Sequence, residues 1–340
     1  MRKTKINLLE CNEGEIVAED IVAPYGSKLV VKNTRINNYI IYKLKSFNVN
    51  HIWVYKHQQD AGYEKLKSKY KANVLDFKNV FNDIAKGEKF RPNSINNIVQ
   101  SMKEETNYNN IVRLLTAIKS ADEYTYNHSI NVGFYCWLNA SWHDFSKRDT
   151  YSLIQAGLLH DIGKTKIPID ILNKPGKLKE DEFEIIKKHS VYGYDIVRET
   201  HEITEEVKSS ILMHHERQDG SGYPYGLKGK EISKFAQIIS LCDVYDALTS
   251  ERVYKKGDNP FEAFQFLQTI GIRIFDMNIL KTFMDNLSGL LVGSKVLLSN
   301  DKIGEIVYVP LNNITNPIIS VDAEFIELSE AKNINIVKFI

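Results

Sequence analysis

Five histidines and two aspartates, His128, His160, Asp161, His189, His214, His215 and Asp243, fall on a central stretch of the chain that reads as a run of helices. That pattern restricts the fold more than any other feature. A carboxylate or a paired imidazole taken into an apolar interior is costly unless a hydrogen-bond partner or a cation compensates it. The helices carrying these residues are therefore predicted to converge on one shared polar centre.

The local contexts sharpen this reading. His160 and Asp161 stand in LLHDIGKTKIP, where an apolar helical stretch ends at a glycine followed by a lysine. A neutral imidazole beside a carboxylate can bind one metal and bridge it to a second; the same pair alone also fits a helix end closed by hydrogen bonds. His214 and His215 are adjacent in SSILMHHERQDGSGYPYG, His189 opens HSVYGYDIVRE, and Asp243 interrupts the apolar run IISLCDVYDALTS. Read singly, Asp243 fits a hydrogen-bonded core aspartate as well as a metal ligand. The seven positions together point to a metal centre and mark the chain as a candidate metallohydrolase.

The strings HDIGK, HHERQDGSGYPYGLKGKEI and DVYDALTSERVYK follow one another in this order. In order and spacing they resemble the HD-GYP branch of the HD-domain phosphohydrolases, over roughly residues 107 to 287. The resemblance implies a mainly α protein with an all-helical HD-type metallohydrolase domain. In it His128, His160, Asp161 and Asp243 would hold one metal, with Asp161 bridging to a second held by His189, His214 and His215. His128, in EYTYNHSINV, matches the family's first ligand. Some members carry a glutamate one helical turn earlier and hold a third metal; here that position is Tyr124. Side chains four apart share a helix face, so Tyr124 points where that glutamate would, and Glu123 is rotated about a quarter turn away. A neutral phenol is a poor ligand, so two divalent transition metals are expected, and the mixed nitrogen and oxygen donors suit iron or manganese.

A water between two cations loses its proton near neutral pH, giving a hydroxide that can attack phosphorus while the cations neutralise phosphoryl charge. The expected chemistry is phosphoester hydrolysis, with His160, Asp161 and Lys164 as the catalytic group. Lys164, one turn past Asp161, can hold a phosphate oxygen as a point charge, or stand as a solvated helix-end lysine. The glycines and proline of DGSGYPYGLKGKEI predict a loop with special backbone angles. By resemblance Asp219, Gly220, Gly222, Tyr223 and Pro224 shape the pocket and position substrate. Tyr223 fits either stacking on a base or anchoring the loop to the core. Arg252 and Lys255 correspond to family positions that contact substrate phosphates, Arg252 through a bidentate fork. Asp246, one turn beyond Asp243, is expected to contact substrate or to orient a ligand. The substrate implied by the resemblance is cyclic di-GMP, linearised to pGpG and in some members cleaved on to GMP. Ligand spacing does not distinguish it from cyclic GMP-AMP or another phosphodiester, nor an enzyme from an adaptor that binds nucleotide without useful turnover.

Composition excludes little but is consistent. A net charge of +1 over 340 residues gives no case for a nucleic-acid polymer as partner. No 18-residue apolar run occurs, so no membrane span is expected, and the opening MRKTKINLLECNEGEIV turns acidic too soon for a signal peptide. Cys11, Cys136 and Cys242 are scattered, which suggests a reduced, cytoplasmic protein; Cys242 reads as a small core residue beside Asp243. His51, His57, His143 and His201 lie outside the motifs and read as structural or surface residues. Residues 1–57 read as a small α/β module, 58–106 as a helical connector with a solvated lysine face, 107–287 as the catalytic domain, and 288–340 as a β-rich extension. That extension is expected to contribute packing or dimer contact, a homodimer being implied only by the family.

Overall fold

Short β-branched runs and the alternating HIWVY segment give the N-terminal region its strands, because residues two apart share a sheet face. The structure, a computed structural model, describes residues 3–55, 62–105, 107–118, 124–251, 257–331 and 333–340. Strands β1 (Thr4–Asn7), β2 (Ile16–Val17) and β5 (His51–Tyr55) form an antiparallel sheet in the order β1-β5-β2, beside the hairpin β3 (Ile21–Val22) and β4 (Lys28–Val30). Helix α1 (Asn38–Ser46) is capped by Asn37, whose Oδ1 accepts from Ile40 N at 2.9 Å.

The central region is helical. Helix α2 (Tyr63–Ala85) buries Leu66, Tyr70, Val74, Phe77, Phe81 and Ile84 along one stripe, while Lys65, Lys67 and Lys71 are exposed on the other. Helices α3 (Pro92–Lys103) and α4 (Tyr108–Ala117) follow. Helix α5 (Tyr124–Trp142) is the axis of the domain: every residue from His128 to Ala140 is buried, so it is covered on all sides. Against it pack α6 (Lys147–Leu159), α11 (Lys234–Thr249) and α2. Between α6 and α11 the chain makes a 3-10 turn (Ile162–Lys166), then α7 (Ile169–Leu172), α8 (Glu180–Lys187), α9 (His189–Val197) and α10 (Glu205–Met213). Helices α12 (Pro260–Phe266), α13 (Ile272–Ile274) and α14 (Met277–Leu290) complete the bundle. None of the described helices is long and apolar enough to cross a membrane.

The C-terminal residues form a five-stranded antiparallel sheet, ordered β10-β6-β7-β8-β9, from β6 (Lys295–Leu298), β7 (Ile303–Tyr308), β8 (Ile318–Val321), β9 (Glu324–Glu327) and β10 (Ile336–Phe339). The two chain ends, separate in the sequence, meet in the structure. Asn37 Nδ2 donates to Val307 O at 2.8 Å, Tyr308 OH donates to Leu29 O at 3.0 Å, and Tyr39 packs edge-on against Phe325 at 4.9 Å between centroids.

Candidate metal centre

Helix ends deliver the polar side chains. His160 and Asp161 follow α6, His189 is the first residue of α9, and His214 and His215 follow α10; His128 and Asp243 come from inside α5 and α11. Gly163 permits this convergence, since a Cβ there would lie 1.9 Å from His189 O and 2.4 Å from Gly193 N. The turn after Asp161 thus rests directly on the backbone of α9.

The side chains gather into two groups, Asp161 with His189, His214 and His215, and His128 with His160 and Asp243; in each, the candidate ligand atoms lie within 4.8 Å of one another. Asp161 joins the groups. Its Oδ1 is 3.3 Å from His189 Nε2, and its Oδ2 is 3.3 Å from His160 Nε2 and 3.6 Å from His128 Nε2. On the other side Asp243 Oδ1 lies 3.1 Å from His128 Nε2.

The donor chemistry fits bound cations. His160, His189 and His214 each donate from Nδ1 to a carbonyl three residues back, Gly157, Ile186 and Ile211, all at 2.7 Å. A carbonyl only accepts, so Nδ1 carries the proton and Nε2 presents a lone pair. Those Nε2 atoms nevertheless converge: His189 with both His214 and His215, and His160 with His128, each pair at 3.2 Å. For His189 and His214, both locked at Nδ1, two lone pairs repel at that distance, and a cation held between them removes the conflict. Burial, reinforced by neighbouring imidazoles, pushes His214 and His215 well below the usual histidine range, the state a ligand needs. Burial raises the pKa of Asp161, but Lys164 and His160 outweigh it and hold the carboxyl well below its ordinary value. Asp243 is held low in the same way, burial being outweighed by His128. A binuclear metal-binding cluster is therefore present.

Around it the structure places the remaining candidates unevenly. Lys164 Nζ sits 2.5 Å from Asp161 Oδ2, at the cluster. Tyr223 stacks on His215 at 4.6 Å between centroids, so its ring clamps the loop onto an imidazole of the cluster. Gly222 lets the loop cross its own start: a Cβ there would meet His215 O at 2.4 Å and Arg217 N at 2.5 Å. Asp219 and Asp246 are both engaged in hydrogen bonds. The Asp219 carboxylate accepts from Ser221 N and Oγ at 3.0 and 2.6 Å, shaping an exposed turn. Asp246 is buried behind His128, where its Oδ2 accepts from Nδ1 at 2.7 Å and its Oδ1 accepts from Asn131 Nδ2 at 2.9 Å. Arg252, Lys255, Glu123 and His57 lie outside the described residues. Tyr124 stacks on His128 at 5.5 Å. Of the other histidines, His51 and His201 are exposed and His143 is half-buried near Phe145. Cys242 is buried and accepts from Asn139 Nδ2 at 3.4 Å, outside both ligand groups.

Sequence reasoning missed three contributors. Glu216 is buried, and its two oxygens accept from Tyr225 N at 2.7 Å and Leu227 N at 2.9 Å, tying the loop at its base. A carboxylate directly after the paired histidines was the available signal. Arg217 donates to Ser240 Oγ and lies over the Phe275 ring at 5.6 Å. Lys187, paired with Glu184 at 2.5 Å, lies over Tyr223 at 5.7 Å, a proximity that no local pattern announces.

A helical domain whose HD turn places one carboxylate between two imidazole-rich groups defines a metal-binding domain of the HD type. The HD domain family matches residues 117–279. A cyclic di-GMP phosphodiesterase of Pseudomonas aeruginosa, PA4108, is 34% identical over 243 residues, 71% of this chain and 58% of that protein. The response regulator RpfG of Xanthomonas campestris, named a cyclic di-GMP phosphodiesterase, is 37% identical over 51% of this chain and 46% of its own length. The chain thus spans about half the length of these curated relatives. Among solved structures, Bd1817, an HDG"Y"P protein from Bdellovibrio bacteriovorus, shares the fold with a TM-score of 0.53 at 16% identity, covering 84% of this chain and 99% of that one. The chain belongs to the HD-domain superfamily, close to its HD-GYP cyclic di-GMP phosphodiesterase members.

Proposed function

We propose that this protein is a metal-dependent phosphodiesterase that hydrolyses cyclic di-GMP to pGpG, using two divalent ions of iron or manganese. The observation that carries the reading is Asp161, whose two oxygens face the two ligand groups separately. His128, His160 and Asp243 would hold one ion, His189, His214 and His215 the other, with Asp161 shared. Such a pair supplies a deprotonated water at neutral pH and neutralises charge developing on the phosphoryl oxygens.

The protein's own part is placement. The carbonyl-locked imidazoles keep their lone pairs aimed without rearrangement at the moment of reaction. Lys164, held at the cluster by Asp161, meets a phosphate oxygen as a compact charge. Tyr223 walls the His215 side and limits how a substrate enters. The Tyr124 ring, lying against His128 where a carboxylate would be needed, supports two ions rather than three.

The choice of cyclic dinucleotide rests on the names of the relatives. A Vibrio cholerae relative, 36% identical over 44% of this chain and 29% of its own length, is named a 3'3'-cGAMP-specific phosphodiesterase, so cyclic GMP-AMP is the second candidate substrate. The test is anaerobic turnover of both dinucleotides by iron- or manganese-loaded protein with the ions counted, beside a His160→Ala, Asp161→Ala variant. Linearisation of cyclic di-GMP by the parent alone is expected. Hydrolysis retained in the variant, or absent from a parent holding two ions, overturns the reading.

A further inference from the structure

The hydrogen bonds behind His128 do not stop at Asp246. Asn131, one turn along α5 from His128, donates to Asp246 Oδ1, and its own Oδ1 accepts from Tyr70 OH at 2.8 Å. Tyr70 belongs to α2, outside the residues 117–279 matched by the HD domain. The direction of each bond is fixed by chemistry. A phenol in this buried place keeps its proton and donates, the Asn131 oxygen accepts, the Asn131 nitrogen donates, and the Asp246 carboxylate accepts on both oxygens. The remaining Asp246 oxygen therefore takes its proton from His128 Nδ1, which leaves Nε2 facing the centre. Tyr70, Asn131, Asp246 and His128 are all no more than 3% exposed, so solvent does not stand in for a lost partner. The nearest alternative for the phenol, Asn127 Oδ1, is at 3.5 Å.

We infer that Tyr70 and Asn131 are positioning residues that set the orientation of His128 through Asp246, so that a helix outside the HD motifs tunes the affinity of one metal site. The inference rests on reading His128 as a ligand. Helix α2 is well placed for such a role, because it touches both faces of the centre's support: Phe81 packs on Tyr126 at 5.4 Å, and Lys166 Nζ reaches Ile84 O at 3.5 Å.

The experiment is a manganese titration of the metal-free full chain, comparing the parent with Tyr70→Phe, Asn131→Leu and Phe134→Leu. Phe134 stacks on Tyr70 at 6.3 Å but takes no part in the chain of hydrogen bonds, so its variant disturbs the same packing alone. Tyr70→Phe is expected to weaken one of two manganese sites about tenfold and leave the other unchanged, with Asn131→Leu at least as severe. Hydrolysis by Tyr70→Phe should fall at limiting manganese and return at saturating manganese, while Phe134→Leu loses melting temperature and keeps parental affinity. Parental affinity in Tyr70→Phe, or equal weakening in Phe134→Leu, overturns the inference. A parent that binds no second manganese ion fails the binuclear reading itself, and does so before any variant is compared.

Discussion

On the metal side of the pocket, His160, His189 and His214 are each locked by a carbonyl three residues back, and what matters is which side chain stands at a helix end. On the loop side, residues 216–228 are held by backbone: Glu216 gathers the amides of Tyr225 and Leu227, Tyr223 N donates to His215 O at 3.3 Å, and Gly222 passes where no Cβ fits. A change on the first side removes chemistry and keeps shape. A change on the second shifts shape while leaving the ligands in place.

The strongest way to break that contrast is Asp161→Ala. Losing the shared carboxylate should remove both ions and lower turnover by about a thousandfold or more, with circular dichroism little changed; two ions counted in this variant would contradict the bridging role. Gly222→Ala should behave oppositely. The added methyl meets backbone atoms of His215, Glu216 and Arg217 at 2.4–2.5 Å, so the loop must move. Both ions should stay while turnover falls roughly a hundredfold, the cost of a displacement near 1 Å at a reacting centre. Metal loss alongside activity would show that the two sides are not separable.

A pH series sharpens the metal side alone. In the metal-free chain burial lowers the His128 pKa, but Asp243 and Asp246 outweigh it and raise the value from 6.5 to about 9. A raised folded-state pKa gives stability that is complete below about 6.5 and is lost as pH rises through about 9. Metal uptake needs the neutral imidazole and runs the other way. Over this window the metal-free melting temperature should fall while manganese affinity climbs, by up to about tenfold per pH unit. A flat melting temperature would show that the carboxylates do not hold that proton. The smallest expected effect belongs to Glu216→Gln, which turns one accepting oxygen into a donor facing an amide. It should cost roughly 1.5–3 kcal/mol of stability and raise KM a few-fold, with metal content unchanged.

The convergence of the histidines and aspartates was readable in the sequence because such a residue at the end of an apolar helix has few inexpensive explanations, and HDIGK and HHE put several there at once. The strands of both ends were readable too, from β-branched runs bounded by turn residues. The role of Asp246 was not, since its helical spacing from Asp243 fits a residue beside the substrate as well as one behind a ligand. Its place behind His128 follows from how α11 packs on α5, which spacing along one helix does not report. Tyr70, Arg217 and Lys187 were illegible for the same reason: each acts through a neighbour distant in sequence or on another element, and local periodicity reports only which face a residue occupies. The meeting of the two chain ends is the extreme case, with Asn37 and Val307 separated by 270 positions.

That contact has a consequence for the order of assembly. The N-terminal strands and helix cannot close their hydrogen bonds to Val307 and Tyr308 until the C-terminal sheet is in place, whereas the helices carrying the histidine and aspartate cluster draw on partners nearer in sequence. The N-terminal sheet is thus completed only with the help of the region most distant from it in sequence. Trimming the C-terminal sheet would therefore leave the N-terminal region incomplete as surely as cutting into it directly.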